Sequence, residues 1–164
     1  MPNHIYQRVK LTGETHLIMR LHNEVTNYRF CDAVIPMPIE LATGGYWYDW
    51  CIEHWDTKWD VCVPVVVDMG WDDTTRISAY CDSREQYFEF TCWTAWSPPF
   101  QVWDRLMNLG VCLEAEYFDE GGQFVGTWHD GVITQWSPES DWEATCRVTD
   151  RCIGMADYFT VEKS

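Results

Sequence analysis

Positive charge is scarce in this sequence. Its 164 residues hold eleven Lys and Arg against 26 Asp and Glu, a net charge of −15. Binding to DNA or RNA depends on neutralising phosphates with Lys and Arg, so direct nucleic-acid binding is not expected, nor is attraction to an anionic membrane leaflet. Long apolar runs are also missing. The best, Val61 to Val67, is seven residues and contains Pro64, far short of the roughly 18 needed to span a bilayer. Met1 to Lys10 is polar and lacks an apolar stretch before a cleavage site, so no signal peptide is expected and the chain is placed in the reducing cytosol.

The eight cysteines include no Cys-x-x-Cys pair. Cys146 and Cys152 lie six apart with no partner pair, so no zinc is expected and the thiols are read as free. Cys31, Cys51, Cys62, Cys81, Cys92 and Cys112 stand among apolar or aromatic neighbours, as small core residues do. Catalytic signatures are lacking: no Gly-rich phosphate loop, no Gly-x-Ser-x-Gly elbow, no His-Glu-x-x-His helix. Glu53 beside His54 and His129 beside Asp130 are acid–imidazole neighbours, but adjacent residues diverge on a helix and face opposite ways on a strand. The chain is therefore read as non-catalytic and without a cofactor.

What is abundant is tryptophan, eleven residues in a chain that is 46% hydrophobic. Each buried aromatic removes roughly 150–250 Å² from water, enough for one firm domain over residues 1–164. His4 to Leu11 reads as a strand ended by Gly13. Thr15 is placed to cap a helix carrying Leu17, Leu21 and Val25 on one face. Phe30 to Ile35 reads as a second extended piece, followed by a loop through Gly44 and Gly45. Trp47, Trp50, Cys51 and Trp55 fall on one helical stripe. Val61 to Val67, Thr75 to Asp82 and Glu85 to Trp93 read as strands, the first either buried or at an edge, with the edge favoured because Pro64 cannot donate to a ladder. Pro99 suits the first position of a helix carrying Phe100, Trp103 and Met107, with Gly110 at its left-handed exit. Val111 to Phe118 and Gln123 to Trp128 form a hairpin, Val132 to Trp136 adds a strand, and Ser140 with Glu143 has capping-box spacing. Asp150 to Phe159 fits helix or strand. This order predicts an α+β fold, a ferredoxin-like antiparallel sheet with helices packed on one face, plus an extra hairpin and a C-terminal extension.

Three segments carry a resemblance: VIPMPIEL at Val34 to Leu41, YDWCIEHWDTKWD at Tyr48 to Asp60, and FEFTCWTAWSPP at Phe88 to Pro99. With YFDEGGQFVG at Tyr117 to Gly126, the set is similar to the YubB-type ferredoxin-like domain proteins of phages and conjugative plasmids, over roughly Tyr28 to Gly131. Asp56 stands where that family usually has glycine, although Asp tolerates left-handed geometry better than most residues. The resemblance implies a fold and a mobile-element setting, but no activity. Proteins of this kind are often carried to counter host defences, so the expected partner is a host protein with a basic surface.

Two sets of residues are candidates for contact. One is acidic: Asp68, Asp72 and Asp73; Glu114, Glu116, Asp119 and Glu120; Glu139, Asp141 and Glu143. Glu114 and Glu116 on one strand face would stand about 6.6–6.8 Å apart and imitate a phosphate row. The other is aromatic: Trp50, Trp55, Trp59 and Trp96 around Lys58, either core or the wall of a pocket for a small ligand or nucleotide. Lys58 is expected to stack on a ring or to pair with Asp60 or Asp49.

Overall fold

The computed structural model describes residues 3–72 and 85–153. The first strand, β1 (His4–Gly13), alternates strictly: Ile5, Val9 and Leu11 are buried on one side, while Tyr6, Arg8 and Lys10 are half-exposed on the other. Four helices follow: α1 (Thr15–Thr26), α2 (Phe30–Val34), α3 (Ile39–Gly44) and α4 (Trp47–Trp55). Then come β2 (Cys62–Trp71), β3 (Gln86–Ala95), α5 (Phe100–Asn108), β4 (Cys112–Asp119), β5 (Val125–His129), β6 (Val132–Trp136) and α6 (Trp142–Ile153). The strands form one six-stranded sheet in the order β2-β3-β1-β4-β5-β6, with every neighbouring pair antiparallel. The chain is an α+β protein built on that sheet.

The main core lies on one face, where Ile5, Val9 and Leu11 of β1 meet Phe88 and Phe90 of β3 and Leu113, Ala115 and Tyr117 of β4. The helices close it with Ile18, Leu21 and Val25 of α1, Phe30 of α2, Trp55 of α4 and Trp103 of α5. The helices do not all pack on that face, contrary to the sequence expectation. α6 crosses the opposite face, where Val148 and Cys152 join Phe118, Val125 and Tyr6 in a second, smaller core. Phe118 supplies the apolar patch because it falls on the otherwise polar side of β4, a position that a simple dry–wet alternation assigns to solvent.

Several local expectations are corrected. Phe30 to Ile35 is not extended; it is mostly the helix α2, whose N-terminal amides are capped by a carboxylate 28 residues downstream, a contact invisible to local propensity. The loop before Gly44 contains α3. α1 is capped by the side chain of Glu14, which accepts from His16 N and Leu17 N, rather than by Thr15. α6 is capped by Asp141, whose Oδ1 accepts from Ala144 N at 2.9 Å, rather than by Ser140. Pro99 is the N-cap of α5, one residue earlier than expected. Gly110 does take the left-handed exit, with φ +86°. β2 sits at the sheet edge, as Pro64 requires, with register breaks on either side of Val65–Val66. The strand expected over Thr75 to Asp82 lies outside the described residues. So does most of the ambiguous tail, of which 150–153 are helical.

The cysteines divide. Cys31, Cys51, Cys92 and Cys152 are buried free thiols, Cys62 and Cys146 are half-buried, and Cys112 is exposed. Cys81 lies outside the described residues. Burial raises the Cys51 thiol to about 11, so it has little thiolate character at neutral pH.

Candidate functional site

The densest chemistry follows α4. Asp56 adopts the left-handed conformation that ends the helix, φ 66° and ψ −1°, in the position where glycine is the commoner choice. Its carboxylate accepts from Gln101 N and Gln101 Nε2, both at 3.0 Å, and so caps α5 from outside. Thr57 is fully buried and exchanges hydrogen bonds with Ala95: its Oγ1 donates to Ala95 O and accepts from Ala95 N. Asp60 accepts from Cys31 N at 2.8 Å, Asp32 N at 2.9 Å and Val61 N at 2.7 Å, capping α2. Burial raises the Asp60 carboxyl from its usual value, while these backbone donors hold it down. The Asp-Thr-Lys-Trp-Asp run is thus a joint that ties α4 to α2, α5 and β3.

Lys58 is the member of that run left facing aromatic surface. Its Nζ lies 5.3 Å from the Tyr48 ring centroid, 5.3 Å from Trp59 and 5.1 Å from Trp96. Tyr48 and Trp96 stand nearly perpendicular, 88° apart with centroids at 5.7 Å. Lys58 therefore stacks on rings rather than pairing with Asp49 or Asp60. The expected aromatic set does not form one pocket. Trp55 is buried, 3% exposed, with Nε1 donating to Ile35 O at 2.9 Å, and Trp50 stacks on His54 with centroids 4.3 Å apart. Trp59 joins the Lys58 group with one face. It also helps line a shallow, largely apolar groove of about 400 Å³ with Met37, Ile39, Trp47 and Trp55. Trp55→Ala is expected to cost about 3–5 kcal/mol, as large core truncations do. Trp96, 43% exposed, should lose far less as alanine, and paired thermal melts check the contrast.

The open side of the sheet holds the second site. Glu114 and Glu116 do share one face of β4, but cations stand between and beside them. In the strand register Lys10 is opposite Glu114 and Arg8 is opposite Glu116. Arg8 Nε donates to Glu89 Oε1 at 2.6 Å, and Arg151 of α6 reaches Glu116 at 3.1 Å and Glu89 at 3.5 Å. His129 Nε2 is 3.3 Å from Glu114, and Lys10 lies over the Tyr87 ring at 4.7 Å. All of these but Tyr87 line a groove of about 420 Å³. The pair on β4 is accordingly a charge checkerboard, not a bare row of negative points. Sequence reasoning missed Arg8, Lys10, Glu89 and Arg151. The alternation of β1 carried the signal for the first two, whereas Arg151 enters only because α6 folds over the second face.

The two half-buried acids of the groove shift in opposite directions. The Arg8 hydrogen bond holds Glu89 below the usual carboxylate range, and burial raises Glu116, whose Oε2 has no hydrogen-bond partner among the described residues. A carboxylate depressed in the folded state stabilises above its unfolded value, near 4.3, and loses that contribution as pH falls through the folded value. Glu89→Gln should therefore melt below the parent at neutral pH, with the gap closing in acid. A gap that stays constant down to pH about 2 would contradict this assignment.

The remaining acidic candidates are placed unevenly. Asp119 is buried, 1% exposed, and accepts from Gln123 N at 3.1 Å, so it does not belong to an outer surface. It closes the β4–β5 turn. Glu120 is half-buried and engages His4 through the backbone N at 2.9 Å and Nδ1 at 3.3 Å. Asp68 is exposed but accepts from the Tyr87 hydroxyl at 3.1 Å, and Asp72 lies half-buried at the end of β2. Asp73 lies outside the described residues. Glu139, Asp141 and Glu143 are exposed together at the start of α6.

Among the described residues, no group of three His, Cys, Asp or Glu side chains is arranged to hold a metal, and no helix is long and apolar enough to cross a membrane. No protein-family model, curated protein or solved structure matches the chain.

Proposed function

We propose that this chain is a non-catalytic accessory protein of a phage or plasmid that binds a basic surface of a host protein, one concerned with defence, and blocks it by direct contact. The observation that carries the reading is the disposition of charge. The chain is at −15, and much of its positive charge is spent internally. Arg8, Arg29 and Arg151 pair with carboxylates, while Lys10 and Lys58 lie over rings. Outward carboxylates such as Glu139 and Glu143 are left to set the field that a partner meets. A cytosolic setting and a cofactor-free mode of action belong to the same reading. The strand order β2-β3-β1-β4, with helices in both crossovers, supports a ferredoxin-like assignment, to which β5, β6 and α6 are additions. The joint at 56–60 supports the likeness to the YubB-type proteins, since Asp56 makes the left-handed turn at the position where those proteins usually carry glycine.

Affinity capture from host lysate with the full chain tests the proposal. A basic protein should co-purify at low salt and be released near 1 M, where the Debye length is about 3 Å. Capture that is indifferent to salt would count against an electrostatic contact. A second reading, a module that sequesters a small ligand or nucleotide, is favoured by the apolar groove between Met37, Ile39, Trp47 and Trp59. Native mass spectrometry showing a small molecule retained on the purified chain would promote it.

A further inference from the structure

Three rings converge on one ammonium at the exposed rim of the 56–60 joint, and one of them is held in an unfavourable backbone conformation. Trp96 has φ 72°, in the left-handed region that is unfavourable for an ordinary residue and suits glycine. The strain is fixed by its neighbours, since Trp96 N donates to Asn3 O at 3.0 Å. The indole it projects is 43% exposed, so core packing is a weak reason to keep so large a side chain there. What the conformation does achieve is to set the Trp96 ring at right angles to Tyr48, with Trp59 as the third wall, around a position 5.1–5.3 Å from all three centroids. Perpendicular aromatic walls at that distance bind cations through the negative faces of the rings, and they favour weakly hydrated cations most. Trp96 is one of five non-glycine residues with positive φ among the described residues, and such conformations recur at ligand clamps.

We propose that Tyr48, Trp59 and Trp96 form a binding site for a weakly hydrated organic cation, an arginine guanidinium or a methylated ammonium, with Lys58 as an internal plug that the incoming cation displaces. Lys58 suits that role. It is tethered within the walls by its own backbone, whose N–H donates to Ala95 O, and among the described residues no carboxylate pairs with its ammonium. Displacement therefore breaks ring contacts only and releases a well-hydrated ammonium into water. Exchanging that ammonium for plain lysine from a partner would gain nothing. A guanidinium or methylated ammonium is desolvated at less cost and gains more from the rings. The tethered plug competes at a high effective concentration, so the intact chain should bind free cations weakly and tightly only when the rest of a partner surface contributes. The identity of the donor, an arginine on a basic host protein, rests on the reading given above, but the cation site does not.

Titration of the Lys58→Ala chain with tetramethylammonium chloride and with N-acetyl-arginine methylamide, followed through the tryptophan indole N–H resonances, tests the site directly. The expected result is saturable shifts of the Trp59 and Trp96 signals. Affinity should be at least about tenfold above that of the unmodified chain, and it should be lost when Trp96→Ala is added. A larger response to the arginine derivative assigns the natural ligand to a guanidinium, and a larger response to tetramethylammonium assigns it to a methylated ammonium. A folded Lys58→Ala chain that responds no more than to sodium chloride overturns the proposal, as does equal affinity with and without Lys58. If Lys58→Ala does not fold, Lys58→Met serves, judged by the same two criteria. Failure of salt-sensitive partner capture with cation binding intact would sink the acidic-surface reading alone, and the converse result would sink the cage alone.

Discussion

Asp60→Ala is expected to destabilise the fold by about 3–5 kcal/mol, because it strands three backbone donors at once and each donor left unsatisfied costs about 1–3 kcal/mol. Its carboxylate takes Cys31 N and Asp32 N at the start of α2 and Val61 N at the entry to β2. Truncation leaves these amides without an acceptor in a region where neighbouring Cys31 is fully buried. Asp32 cannot substitute, because its own Oδ1 accepts from Met37 N at 2.9 Å. Asp60→Asn keeps one oxygen but turns an amide donor toward a backbone donor, so it should fall between the parent and Ala. The sign with pH is also fixed. Burial raises the Asp60 carboxyl, so ionising it costs the folded state more than the unfolded one, and acidification relieves that penalty. Acid unfolding is therefore driven by groups such as Glu89 and not by Asp60. Chemical denaturation of the three chains at neutral and mildly acid pH checks both the order and the sign.

Trp103→Ala should be comparably severe. Trp103 is fully buried on α5 and packs edge-on to Phe100 at 5.5 Å and Trp128 at 5.6 Å, with Tyr117 at 6.3 Å. Loss of a buried indole costs about 3–5 kcal/mol, and a midpoint shift of about 2–4 °C per kcal/mol is usual at this chain length. The expected fall is thus about 6–20 °C. Trp103 Nε1 has no hydrogen-bond partner among the described residues, however, so Trp103→Phe removes an unsatisfied donor along with some volume. It should retain much more of the stability than Ala does. Equal losses for Phe and Ala would mean that the indole nitrogen is satisfied, for instance by water.

The strands and α5 could be read from the sequence because their signals are local. The alternation of β1 and β4, the Pro99–Gly110 frame of α5, and Pro64 at an edge each follow from a few adjacent residues. α2 could not be read in this way: its apolar residues suit a strand, and its helical state rests on Asp60, supplied from another loop. The placement of α6 on the far face was equally hidden, since it depends on Phe118 and Val125 pairing in register to make an apolar patch beneath Val148.

The candidate sites divide in the same way. Lys58 stacking on rings was foreseeable from the crowd of aromatics around it, but the cage needs Tyr48, Trp59 and Trp96 from three separate segments and an indole placed by a left-handed backbone. The acidic row on β4 was legible as a row, because Glu114 and Glu116 are two apart on a strand. Its interleaving with Arg8, Lys10 and Arg151 was not, because cross-strand register and a returning helix decide it. Asp119 looked like a surface acid in sequence and proved to be the buried closure of a turn.

The central claim is that outward carboxylates attract a cationic protein. The most direct measurement is the dissociation constant for the captured partner across salt, for the parent and for the double variant Glu139→Lys, Glu143→Lys. These two positions are exposed and do not cap α6. Binding should weaken steadily as salt rises and be at least about tenfold weaker for the variant at low salt, with the two curves converging as the charges are screened. An affinity that is level across salt and the same in both chains would contradict the account.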